Sequence, residues 1–229
     1  GFSVDTQQAE VLLHSLHLDG SSTHLLTLFQ NNTLFEKGED GNYLYEINYA
    51  VMPDVYRAMK LIHKVSIIIK QLKIDLNELQ WLIQGGYDVV DTINFNHVPI
   101  DETQVDLPID KFLNTIRFLA ISRNFEQSDG KIFLDLLDVI THPSTSVLEK
   151  NTQLCDFTGW NIDDHMMIIY NGIDYRNPQT YERMLDCYQT KKIAGVSFGV
   201  IRTWADRNVS SDEYLKAVSI KNVVKSKYK

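Results

Sequence analysis

Few side chains in this sequence stand at the spacings that chemistry requires. His14 and His17 lie three residues apart with His24 close behind, and on a helix the first two would share a face as zinc ligands do. No carboxylate or cysteine completes that set at a recognisable spacing, and the His-Glu-x-x-His arrangement of zinc proteases does not occur. Asp163-Asp164-His165 has the residue types of a ligand cluster, but a capping role accounts for Asp163 and solvent exposure for its two neighbours. Gly85-Gly86 could cradle a phosphate. With no strand before it and no Lys-Ser/Thr helix after it, the pair reads as a helix stop. Cys155 and Cys187 each sit in an apolar helical stripe, so both read as buried thiols rather than nucleophiles or a redox pair. Trp81, Trp160 and Trp204 could line a cleft. Trp81 and Trp204, however, fall on short helices after capped turns, where packing between hairpins is their expected role. The seven histidines read as exposed, and none is expected to matter for assembly at neutral pH. No catalytic, cofactor-binding or metal-ligating residue is therefore assigned, and no cofactor is expected.

The elements that would position any such site follow from composition and pattern. The chain has 229 residues, of which 44% are hydrophobic, 23% charged and 10% aromatic, enough for a core in one domain or two small ones. No apolar run approaches the length of a membrane-spanning helix, the first residues do not read as a signal peptide, and two cysteines do not form a disulfide framework. The net charge of -8 is uneven. Arg207 to Lys229 holds six basic and two acidic side chains, leaving a strongly acidic body. An acidic body argues against a general nucleic-acid binder, whose phosphate contacts need clustered Lys and Arg.

The periodicity is helical throughout. Val55, Ala58, Ile62, Val65, Ile69 and Leu72 step by three and four, and Leu61 and Ile68 widen the stripe. Ile109, Phe112, Leu113, Ile116, Leu119 and Ala120 form a second stripe, and Tyr181, Met184, Leu185 and Tyr188 a third. Pro53, Pro108 and Pro178 stand where these three helices should begin, and Pro143 where a further one containing Val147-Leu148 should, a position that tolerates the missing N–H. Residues 36–42 and 91–107 read as polar loops between helix pairs, and the second is a possible sub-boundary.

One junction recurs. A long helix ends, an apolar residue follows, then a Ser or Asp cap, then an apolar residue four positions on. It appears at Ile74-Asp75 with Leu79, Leu82 and Ile83; at Ile162-Asp163 with Met167 and Tyr170; and at Val196-Ser197 with Ile201, Trp204 and Ala205. Ser21 and Ser128 head weaker versions. Asp75 with Glu78 makes a capping box. Each unit is an αα-hairpin whose apolar face must be buried by a neighbour, which predicts an all-α, irregular, solenoid-like array or layered bundle over residues 1–229.

These segments resemble the α-helical shell of the A component of the insecticidal toxin complex (Tc toxin). Leu28-Phe29-Gln30-Asn31-Asn32-Thr33-Leu34-Phe35 is similar to that family's Leu-Phe-Asn-Asn-Pro-type segment. Leu72 to Leu79 resembles its recurrent capped turn, and Leu154-Cys155-Asp156-Phe157-Thr158-Gly159-Trp160-Asn161 its Leu-Thr-Gly-Trp element. Val218 to Tyr228 resembles the helix that leads into the next part of the family's chain. The likeness runs from about Val11 to Tyr228. It implies a fragment of a far longer, secreted or surface-borne bacterial chain that assembles as a pentamer around a translocation channel. The toxic enzyme then resides in another component, and host-cell contact, if any, belongs to other regions of the chain. A bacterial origin would leave the glycosylation-like Asn31-Asn32-Thr33 and Asn208-Val209-Ser210 unused. The expected partners are the remainder of the same chain and its pentameric copies, with no nucleic acid and no direct membrane insertion. The alternatives are a stand-alone α-solenoid adaptor for a protein or peptide, or a helical enzyme, for which no catalytic constellation is present.

Overall fold

Proline at the first helical position starts α3 (Pro53–Leu72), and its i, i+3, i+4 stripe buries Val55, Ala58, Leu61, Ile62, Val65 and Ile69 as the spacing predicts. The computed structural model describes residues 4–18, 21–30, 34, 36–44, 47–101, 107–125, 133–169, 173–205 and 213–227. The fold is all-α. Among the described residues there is no strand, and pairing is limited to isolated bridges between His17 and His24 and between Lys37 and Tyr43. The chain forms two compact units, Gly1–Ala120 and Ile121–Lys229, and the division falls inside a helix, downstream of the 91–107 segment.

The first unit packs α1 (Thr6–Ser15), α2 (Leu25–Phe29), α3 and α4 (Leu76–Trp81). A π-helical turn (Leu82–Gly86) and α5 (Tyr87–Val89) follow, then a 3-10 turn (Phe95–His97) and the start of α6 (Ile109–Asn124). The second unit holds the end of α6, then α7 (Phe133–Ile140), α8 (Val147–Thr158), α9 (Ile162–Ile168), α10 (Pro178–Ala194), α11 (Phe198–Ala205) and α12 (Glu213–Lys227).

The recurrent junction is real, and its geometry is the same three times. Each long helix ends on a residue in the left-handed region: Lys73 (φ 53°), Gly159 (φ 70°) and Gly195 (φ 69°). One apolar residue follows, Ile74, Trp160 or Val196, and then the N-cap, Asp75, Asn161 or Ser197. Asn161, not Asp163, caps α9; its side chain accepts from the Asp164 N–H at 3.0 Å, and Asp163 lies inside the helix. The expected register was two residues late there because Gly159, rather than an apolar run, marks the helix end. Ser21 does not cap α2 either. It accepts from the Thr23 N–H at 3.0 Å in a local turn, while His24 holds the cap position without a side-chain bond. Ser128 and Tyr170 lie outside the described residues.

The capping box at Asp75 is complete: the carboxylate accepts from the Glu78 N–H at 2.8 Å, and the Asp75 N–H donates to the Glu78 carboxylate at 3.0 Å. Asp75→Ala should cost about 1–2 kcal/mol, read as a lower urea midpoint at unchanged slope.

Two expectations are corrected. The described part of the 91–107 segment, residues 91–101, is not a solvated loop. Thr92, Ile93, Phe95, Val98 and Ile100 are buried, and Arg57 and Lys60 on α3 hold Asp101 and the Ile100 carbonyl at 3.2 and 3.3 Å. α6 is also rotated from its expected face. Thr115, Phe118 and Leu119 are buried, whereas Ile109, Leu113 and Ile116 are 72%, 41% and 40% exposed and Ala120 is exposed. The Thr115 hydroxyl turns inward because it accepts from the buried Ile93 N–H at 3.1 Å, and Phe118 stacks on Trp81. Turning α6 to bury Ile116 would leave the Ile93 N–H unpaired, at a cost of about 1–3 kcal/mol that offsets the apolar gain.

Candidate functional site

The histidine trio does not converge. α1 ends at Ser15, so His17 lies beyond the helix, bridging His24 through backbone and donating its N–H to the Asn96 side chain at 2.9 Å. His14 instead projects at the edge of a shallow cavity of about 520 Å³ between α1 and α4. Its lining is mixed: the polar side chains of Gln7, Glu10, His14, Ser15, Gln80 and Gln84 stand with Val11 and Leu76. The cleft can exchange hydrogen bonds with a polar ligand, but no hydrogen bond among the described residues joins His14 to Glu10 or Ser15 into a nucleophile–base pair. Among the described residues no three His, Cys, Asp or Glu side chains gather as metal ligands.

The densest arrangement of polar and aromatic groups is the interior of the second unit. Phe125 and Phe133 stack at 4.8 Å, Tyr181 meets Phe133 edge-on at 5.3 Å, and Trp160 stacks on Tyr188 at 3.8 Å. Phe198 closes on Tyr188 edge-on at 5.0 Å. Within this cluster the Tyr175 hydroxyl donates to the buried Asn151 side chain, and the Tyr181 hydroxyl donates to the Tyr175 carbonyl at 2.6 Å. Burial pushes the Tyr175 phenol up to about 12 and the Tyr181 phenol well above its ordinary value, so both stay neutral hydrogen-bond donors.

His165 departs furthest from expectation. It is 0% exposed rather than solvated, its ring lies 5.8 Å from Trp160 and 6.5 Å from Tyr188, and among the described residues neither ring nitrogen has a hydrogen-bond partner. Burial lowers its pKa to about 4, which keeps the imidazole neutral at pH 7. The Tyr188 hydroxyl is likewise buried without a partner among the described residues. Asp164 turns outward from the same turn and pairs with Lys191 on α10. The junction geometry explains the burial. With Asn161 as N-cap, Trp160 and His165 hold the two positions of a hydrophobic staple, as Ile74 and Leu79 do around Asp75. Reading Gly159 as the helix end would have exposed this from the sequence.

The remaining expectations resolve simply. Cys155 is buried as expected and its thiol is pushed up to about 11 by burial and then by Asp156; Cys187 is only half-buried, contrary to expectation, because it lies toward the edge of the α10 stripe, and partial burial with Asp186 still raises its thiol. Folded chain should therefore react with a disulfide reagent at Cys155 at least about a hundredfold more slowly than an ordinary thiol, recovering in denaturant. A fast burst at Cys155 in the native state would contradict this. Trp81 packs on Phe118 at 5.0 Å, and the Trp204 indole N–H donates to Ser219 on α12 at 3.3 Å, so both do pack between helices. Gly85 (φ 116°) breaks the helical path as expected of a stop, and a second short helix, α5, starts directly after Gly86. Both glycosylation-like sequons lie outside the described residues. No described helix is long and apolar enough to cross a membrane.

No family model matches this chain, and neither a curated protein nor a solved structure matches it.

Proposed function

We propose that the chain is a segment of structural wall: part of the helical shell of a bacterial Tc-toxin A component, whose work is burial of hairpin faces against neighbours. The observation that carries this reading is the three-residue joint used at α3–α4, α8–α9 and α10–α11, a left-handed residue, an apolar residue and a cap. Reuse of one joint is how a helical array extends itself, and each hairpin has an apolar side that a neighbour must cover. The exposed stripe Ile109, Leu113, Ile116 along α6 fits that need. In this reading the partners are the rest of the chain and its pentameric copies outside the bacterial cell, and the delivered toxic activity belongs to another component.

A stand-alone adaptor is the second reading, favoured by the mixed polar and apolar cleft between α1 and α4. The parent reading frame separates them. A far longer frame beside two other toxin-component genes, with a purified product that forms pentamers by electron microscopy, is the expected result. A short complete frame with a monomeric product overturns the shell reading and leaves the adaptor.

A further inference from the structure

α12 is a 15-residue helix with no buried residue. A helix of that length is marginal in water unless something covers it. One side rests on its own unit: Val218, Ser219 and Val223 are half-buried, with Ser219 accepting from Trp204. The other side repeats apolar residues at Ala217, Ile220 and Val224, spaced three and four as in a helix-pairing seam. Ile220 is 40% and Val224 51% exposed, and the exposed Lys221 and Lys225 flank them.

The same unit carries a surface of opposite charge and matching character. The turn joining α7 to α8 brings Val139 beside the start of α8, where the Thr145 hydroxyl donates to the Val139 carbonyl at 2.9 Å. Val139, Val147 and Leu148 are 41%, 63% and 64% exposed there, with the exposed carboxylates of Asp135 and Glu149 close in sequence on the same two helices.

We infer that the basic, apolar outer face of α12 docks on the acidic, apolar α7–α8 tip of a second copy of this chain. Charge complementarity selects the mode. Two α12 faces brought together would oppose Lys221 and Lys225 to their own copies, and two tips would oppose carboxylates, so the contact is heterologous rather than two-fold. The inference rests on these two surfaces and not on the toxin-component reading, because an adaptor bearing them would self-associate as well.

The test is sedimentation velocity of the 229-residue chain up to submillimolar concentration, at low and high salt, with two double variants. Ile220→Gln/Val224→Gln alters exposed positions with a good helix former. Val147→Glu/Leu148→Glu places acids in the first turn of α8, where the helix dipole favours them. Circular dichroism matching the unaltered chain checks that both fold. The unaltered chain should associate with rising concentration, more weakly at high salt, and each variant should weaken association at least about tenfold. An equimolar mixture of the two variants should form a heterodimer that grows no further, because only one intact pair of surfaces remains. An unaltered chain that stays monomeric, a variant that associates unchanged, or a mixture that stays monomeric would each overturn the proposal.

Discussion

Acidification from pH 7 toward pH 4 should destabilise the second unit by roughly 2 kcal/mol through His165 alone, and His165→Leu should remove that loss. The sign follows from the shift. The imidazole is held to about 4 in the fold, against about 6.5 in an unfolded chain. Between those values the unfolded chain binds the proton and the native one does not. Stability is therefore full above pH 6.5 and falls as the pH drops through that window, flattening near 4. The full interval corresponds to about 3 kcal/mol, and the lower figure allows for water reaching a charged ring. Among the described residues no counter-charge relieves the cost, because Asp164 is engaged with Lys191 and the ring faces Trp160 and Tyr188. Leucine at 165 would match Leu79 at the equivalent staple position, so at pH 7 the variant should be as stable as the parent or more so. Urea midpoints followed by tryptophan fluorescence at pH 7 and pH 4.5 measure this. Equal pH slopes in parent and variant would sink it.

Gly86→Ala should destabilise the first unit by about 3 kcal/mol, the sum of an overpacking cost and a lost ring stack. A Cβ on Gly86 would sit 2.1 Å from Trp81 Cε3 and 2.4 Å from Cζ3, distances no side chain adopts. The indole is five residues earlier, and the π turn between Leu82 and Gly86 lays it over the glycine. To admit a methyl group the indole must swing away, breaking its 5.0 Å stack on Phe118. Gly85→Ala tests a different physics. Nothing lies within 4 Å of its would-be Cβ, but its φ of 116° strains any L side chain, so it should cost about 1–2 kcal/mol without moving Trp81. Near-ultraviolet circular dichroism separates the two: the tryptophan signal should change in Gly86→Ala and persist in Gly85→Ala.

What the sequence revealed was mainly what is local. Pro53, Pro178, the Asp75–Glu78 box and the α3 stripe all depend on residues within a turn or two of each other, and all stand as read. Two of the misreadings, the face of α6 and the segment after Asp91, share one cause, a partner distant in sequence. The face of α6 is decided by a hydrogen bond from Ile93, 22 residues away, which no period along α6 reveals. The segment after Asp91 looks polar by composition, yet its alternating apolar residues dock along α3, where Arg57 and Lys60 fix its end. His165 looked solvated because two aspartates precede it, and its burial followed from a cap assigned two residues too late. The site assignment is the least legible part: the cleft between α1 and α4 unites residues near 10 and near 80 that share no motif.

The uniform three-residue joint bears on how such a chain can change length over evolution. At α3–α4, α8–α9 and α10–α11 a single added residue would move the cap off the helix start and separate the staple pair, so these corners should resist insertion. Because each corner is self-contained, a hairpin can be duplicated or excised as a cassette, with cuts placed between corners rather than within them. A lineage built this way would gain or lose whole pairs of helices while its turns kept a constant count.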